Sequence, residues 1–161
     1  YWRDNRLNMI HEGTHGIQAA DLLGRKVVME GGKGLALLAG RIDATIANAI
    51  GQPHLAEHAD ALGQALRKVG AATQAAWAGG DPGEALANAV PYMQAFGHLV
   101  IAWTWLDILA TLPAQPATAA HEGRLRAARY FFHYELPKID AWLHVVETRD
   151  PTCADMPEEA F

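Results

Sequence analysis

Residues 55–77 read LAEHADALGQALRKVGAATQAAW, and this stretch decides the fold class. Apolar or small residues recur in it at alternating steps of three and four, which is the period of an α-helix that buries one face. Glu57, Asp60 and Lys68 fall on the opposite face. The residues of the predicted buried face are Leu55, Ala59, Leu62, Leu66, Val69, Thr73 and Ala76. This rhythm is typical of a seam between helices of a bundle.

The flanking stretches have the same helical character. Residues 35–51 carry apolar side chains at steps of three and four and end at a glycine before a proline. Residues 82–112 are apolar nearly all round, which places their helix at the centre of a bundle. Two shorter helices are predicted over residues 117–135 and 138–148. The sequence therefore predicts an all-α helical bundle of about five to six helices.

Pro91 lies inside the longest apolar element. A proline removes one backbone donor and its ring clashes with the preceding turn. We therefore expect a kink or a break near residues 87–91.

Composition narrows the class of protein. The 161 residues suffice for one domain, and the net charge of −5 disfavours nucleic acid as a partner. The densest basic group, Arg124, Arg126 and Arg129, is most simply a solvated face, with a subunit contact or an anionic cofactor group as the lesser alternatives. A single cysteine, Cys153, excludes an internal disulfide framework, and no apolar run reaches the roughly 18 residues of a membrane span. We expect a soluble, cytoplasmic protein, and because Tyr1 opens the sequence we expect it to be part of a longer one.

The segment from His11 to Gln18 concentrates the unusual chemistry and has two interpretations. In the first, His11-Glu12-Gly13-Thr14-His15 is a zinc pattern, with two imidazoles one helical turn apart and a glutamate that activates water. That interpretation lacks a third ligand in a known position, and glycine within the helix weakens the turn that the two imidazoles need. In the second, Glu12 is a lone catalytic carboxylate at a turn, and Thr14 caps the helix that follows.

The flanking residues favour the second interpretation. The stretch that begins at Tyr1-x-Arg3-Asp4-x-Arg6, continues through Glu12-Gly13-Thr14 and ends at Gly24-Arg25-Lys26 resembles the end of the catalytic core of the acyl-CoA dehydrogenases. It is most similar to the bacterial subgroup that includes 3-methylmercaptopropionyl-CoA dehydrogenase and carries an extra C-terminal helical domain. Residues 96–106 and 127–132 resemble that domain as well.

The resemblance implies an activity. Glu12 would be the base that removes the α-proton of an acyl-CoA thioester, which requires a dry site that raises its basicity. Gly13 would let the backbone approach the substrate, and Thr14 and Gln18 would contact FAD. A β-hydride would pass to the flavin, and the backbone N–H of the glutamate would share stabilisation of the enolate oxygen with a flavin hydroxyl. Gly16 stands where shorter relatives often have a glutamine near the flavin, so that contact is not transferred.

The same resemblance divides the chain and suggests its partners. Residues 1–29 would end the catalytic core, residues 30–148 would form the C-terminal helical bundle domain, and residues 149–161 would be a flexible tail. By itself the chain would have a structural role, without activity and without retained FAD. It would contribute to a homo-oligomer. An electron-transfer flavoprotein would accept the electrons from the full-length enzyme, as in most relatives. Two alternatives remain, a zinc-dependent hydrolase that uses His11 and His15, and a helical interaction domain without catalytic function.

Overall fold

The computed structural model describes residues 2–5 and 13–160, and all of the regular structure in these residues is helical. The α-helices are α1 (Trp2–Asn5), α2 (His15–Asp21), α3 (Lys33–Ile50), α4 (Ala56–Ala76), α5 (Pro82–Leu86), α6 (Ala89–Ala110), α7 (Ala119–Tyr130) and α8 (Ile139–Glu147). Short 3₁₀ turns occupy Met29–Gly32, Leu136–Lys138 and Glu158–Ala160. Six of the described α-helices have seven or more residues, so the predicted all-α bundle of five to six helices is confirmed.

Helix α4 is the seam that the sequence predicts. Six of the seven predicted positions are buried, and Leu66 is half-buried. The helix packs against α3, α6 and α8, and its buried residues join one hydrophobic core with theirs. Because this core draws on helices from both halves of the sequence, it holds the bundle together.

Helix α6 lies at the centre of the bundle. It packs against α2, α3, α4 and α8, and Tyr92, Leu99 and Leu106 on it are fully buried. Its outward positions are apolar too, with Ile101 and Ile108 exposed. In the described part of the chain this is the helix that is long and apolar enough to cross a membrane by length and composition, and its buried residues belong to the bundle core.

The predicted break before α6 is confirmed. Helix α5 ends at Leu86 and α6 begins at Ala89, so Pro91 lies in the first turn of α6, where the missing N–H would have no helical partner. Asn88, in the break, is buried and its side-chain amide donates to the Asp150 carbonyl at 2.9 Å. That bond ties the segment after α8 to the start of α6.

Two helices continue into widened π-helical turns. Helix α2 runs on through Leu22–Lys26, and α7 runs on through Phe131–Glu135. The second widened turn precedes Pro137, whose ring excludes an ordinary α-helical turn before it. In the first, the position of a Cβ on Gly24 would lie 3.2 Å from Leu86 of α5, so the glycine allows close packing there. Gly24 therefore lies inside a continuous helical stretch and does not end it.

Candidate active-site segment

The predicted catalytic segment leads into helix α2. Glu12 and His11 lie outside the described residues. Gly13 and Thr14 precede the helix, and His15 is its first residue. The Thr14 carbonyl accepts from the Gln18 N–H at 2.9 Å, which closes the first helical turn. The structure therefore places Gly13, Thr14 and Gln18 together at one end of α2.

Gly13 has a φ of +77°, in the left-handed region that favours glycine. A Cβ at this position would meet nothing within 4 Å among the described residues. Glycine therefore adopts the backbone conformation of this turn without strain, and the space beside its Cα is open.

Thr14 occupies the predicted N-cap position, but its side chain makes no capping hydrogen bond to the helix. The predicted cap was wrong in this respect. The backbone of Thr14 is already helical, with ψ at −3°, whereas the two residues whose side chains do cap a helix, Asp81 and Thr118, are extended, with ψ at 120° and 158°. An extended backbone directs the side-chain oxygen back towards the first amides, and a helical one does not.

The first turn of α2 is open, and the residues that follow it are anchored. His15, Gly16, Ile17 and Gln18 are exposed, and Ile17 exposes 73% of its surface. Ala19 in α2, Leu23 in the widened turn and Val27 directly after it are buried in the bundle core. The bundle thus presents the residues after Glu12 on an uncovered surface.

A hydrogen bond from α4 strengthens this anchor. The indole N–H of Trp77 donates to the Leu23 carbonyl at 3.2 Å. Leu23 lies in the widened turn, where the i→i+4 pattern of carbonyl partners is interrupted. The tryptophan therefore fixes the turn that follows the candidate site.

An ion pair lies on the exposed side of the same element. The Arg25 guanidinium donates to the Asp21 carboxylate at 2.5 Å. This hydrogen bond lowers the pKa of Asp21 below its ordinary value and raises that of Arg25. Asp21 is therefore held ionised and is a poor candidate for a proton-transferring group.

No metal site is formed by the described residues. They contain no group of three or more His, Cys, Asp or Glu side chains placed to hold an ion. His15 is exposed on the first turn of α2, and His11 lies outside the described residues. The zinc alternative depends on His11 and therefore stays a prediction.

One histidine is less exposed than its spacing in the sequence predicts. The i,i+4 spacing of His54 and His58 predicts that both lie on an exposed helix face, but His58 is half-buried and meets the Phe132 ring edge to face at a centroid distance of 4.5 Å. Burial lowers the pKa of His58, and its Nδ1 finds no hydrogen-bond partner among the described residues. The prediction was wrong because the widened turn after α7 covers this part of α4. His98, by contrast, has a polar partner, with its Nδ1 2.9 Å from the Gln94 carbonyl.

The sequence interpretation missed a second surface feature. The solvated arginines of α7 lie beside two tyrosines, and together these residues line an open depression of about 370 Å³. We call this surface the arginine–tyrosine face; it consists of Arg126, Arg129, Tyr130, His133 and Tyr134. The i,i+4 spacing of Tyr130 and Tyr134 was the signal that could have revealed it.

Comparison with known proteins identifies related sequences. A family model described as "Acetyl-CoA dehydrogenase C-terminal like" matches residues 38–157. The 3-methylmercaptopropionyl-CoA dehydrogenase of Ruegeria pomeroyi is 38% identical over 109 residues, which are 64% of this chain and 18% of that protein. The broad-specificity linear acyl-CoA dehydrogenase FadE5 of Mycobacterium tuberculosis is 28% identical over 176 residues, covering 100% of this chain and 29% of that protein. The chain spans less than a third of the length of either relative.

Proposed function

The chain belongs to the acyl-CoA dehydrogenase C-terminal domain family, and on this basis we propose that it is part of an FAD-dependent enzyme that introduces a 2,3-double bond into an acyl-CoA. The observation that carries the proposal is the family match over residues 38–157, which follows the Glu-Gly-Thr segment in the sequence. The similarity to the mycobacterial relative extends over the whole chain and thus includes that segment.

In this proposal Glu12 is the base. Its carboxylate takes the proton from the α-carbon, and the electron pair of the broken C–H bond moves into the enolate of the thioester. Such a base must be shielded from water, because desolvation raises a carboxylate's pKa towards that of the carbon acid. The exposed residues of α2 leave room for the rest of an enzyme to cover the segment and exclude water.

The described residues fit the cofactor that the family implies. Thr14 and Gln18 are one helical turn apart, so both side chains lie on the same side of the start of α2. Gln18 is exposed and Thr14 half-buried, which leaves the amide accessible to a polar group on that side. When bound, FAD supplies the acceptor for the hydride from the β-carbon. Thr14 and Gln18 would hold it, while Gly13 keeps the backbone beside the substrate open.

The isolated chain has a structural role in this proposal. Without the remainder of the flavin pocket it binds no FAD and is inactive, and its exposed apolar residues, among them Ile17 and Ile101, meet other parts of the assembly. The assembly is a cytoplasmic homo-oligomer that passes electrons to an electron-transfer flavoprotein.

The test uses the full-length parent protein with the substitution Glu12→Gln. We expect the purified variant to keep its flavin absorbance and to lose acyl-CoA turnover by a factor of about 10²–10⁴, the usual contribution of a general base. Glu30→Gln is the matched control, because Glu30 is exposed and pairs only with Lys33, at 3.3 Å, in the described residues. A colourless parent, or an E12Q variant with normal turnover, would contradict the proposal.

A further inference from the structure

The arginine–tyrosine face has the composition of a ligand site, and it lies on a different part of the bundle from α2. Its residues come from the last turns of α7 and the widened turn that follows. Arg126, Tyr130 and Tyr134 are spaced by four residues, and so are Arg129 and His133, so the two rows lie side by side. Cations and aromatic rings therefore share one open depression of about 370 Å³.

The two tyrosine rings form a platform. They are stacked with centroids 5.1 Å apart and planes inclined by 16°, and the residues remain 56% and 67% exposed. The Tyr130 hydroxyl donates to Glu135 Oε1 at 3.2 Å, which fixes the orientation of its ring. Stacked rings that stay exposed offer a flat apolar surface to a further planar group.

The charges beside the platform are suited to an anion. Arg126 pairs with Glu122 at 2.6 Å, whereas Arg129 makes no ion pair with any described residue. The nearest carboxylate on the tyrosine side, Glu135, is engaged by Lys138 at 2.7 Å, and this bond lowers the pKa of Glu135. Arg129 therefore remains available to an anionic ligand, although the chain as a whole has a net charge of −5.

We propose that the arginine–tyrosine face binds a purine nucleoside diphosphate group, with the base stacked on Tyr134 and the diphosphate held by Arg129. A bare phosphate would make no stacking contact with the aromatic platform, and a neutral ring would form no ion pair with an arginine. A guanidinium binds phosphate oxygens in pairs, and aromatic side chains stack on any base. A polynucleotide is disfavoured because the acidic surface of the chain would repel its many phosphates.

The test is a calorimetric titration of the 161-residue chain with ADP, adenosine and inorganic pyrophosphate as separate probes. We expect saturable binding of ADP and at least about fivefold weaker binding of each of the other two, since each lacks half of the contacts. Tyr134→Ala and Arg129→Gln should each weaken ADP binding at least about fivefold. Arg41→Gln, at an exposed arginine of α3, is the matched control and should leave ADP binding unchanged.

A coenzyme A titration distinguishes two sources of the same group. Binding as tight as that of ADP would assign the face to the nucleotide end of a thioester, and weaker binding would assign it to a free nucleotide. Absence of saturable ADP binding would overturn the proposal. So would pyrophosphate that binds as well as ADP, or equal losses in Y134A and R41Q. These outcomes are independent of Glu12, so they leave the proposed dehydrogenase activity untouched.

Discussion

A buried hydroxyl pair joins α4 to α6, and its two members should differ in their contribution to stability. Thr73 Oγ1 donates to the Val69 carbonyl at 2.7 Å and lies 2.7 Å from the Tyr92 hydroxyl. The threonine hydroxyl has one proton, which is used on Val69, so the Tyr92 hydroxyl must donate to Oγ1. Tyr92 is fully buried and Thr73 is 8% exposed, so water cannot replace either partner.

This direction of donation sets the size of each effect. Thr73→Val removes the acceptor and leaves the Tyr92 hydroxyl buried without a partner, which costs about 1–3 kcal/mol of unfolding free energy. Tyr92→Phe removes the donor but leaves the threonine bonded to Val69, and costs only about 0.5–1.5 kcal/mol. The double variant has no unpaired donor, so its loss should be smaller than the sum of the two single losses.

Urea unfolding of the chain, followed by far-ultraviolet circular dichroism, measures these differences. Thr104→Val is the matched control, because Thr104 also bonds its own helix, through Val100 at 2.9 Å, but on an exposed face. We expect that control to change stability by less than about 0.5 kcal/mol. A T73V loss no larger than that of Y92F, or strictly additive losses, would refute the assigned direction of donation.

Three further predictions follow from particular contacts. Burial raises the pKa of Tyr92 from its ordinary 10.0 to about 12. The stability that the neutral Tyr92 hydroxyl contributes is therefore complete below pH 10 and is lost as the pH rises towards 12. Alkaline unfolding should show a shallower loss of stability in Tyr92→Phe, and an identical pH dependence in the two proteins would contradict this. Asp81 caps α5 by accepting from the Gly83 and Glu84 amides at 2.6 and 3.4 Å, so Asp81→Ala should cost about 0.5–2 kcal/mol in urea unfolding, whereas Asp81→Asn should recover most of it. Trp77→Phe removes the donor to the Leu23 carbonyl. Amide hydrogen exchange should then speed up in the widened turn after α2, while α6 keeps its protection. Unchanged exchange in the widened turn would show that the Trp77 hydrogen bond does not stabilise it.

The sequence alone was sufficient to predict the helices and the break before α6. The α4 seam was predictable because burial of one helix face demands a period of 3.6 residues, which can be counted in the sequence. The break before α6 was predictable because Pro91 cannot donate and clashes with the preceding turn. The resemblance to the acyl-CoA dehydrogenases was recognised from the residue pattern, and the family match over residues 38–157 confirms it. The roles of Glu12, Gly13, Thr14 and Gln18 stay predictions.

Tertiary packing decided the side-chain contacts that the residue pattern could not predict. The side chain of Thr14 does not cap α2 because its backbone is helical, with ψ at −3°. His58 is covered by Phe132, and two tyrosines join two arginines on one face, through the widened turn that precedes Pro137. In these last two cases residues distant in sequence, or one extra residue in a turn, set the exposure of a side chain. Periodicity therefore determined which face of each helix is buried, while contacts between helices determined which polar groups lie open to a ligand.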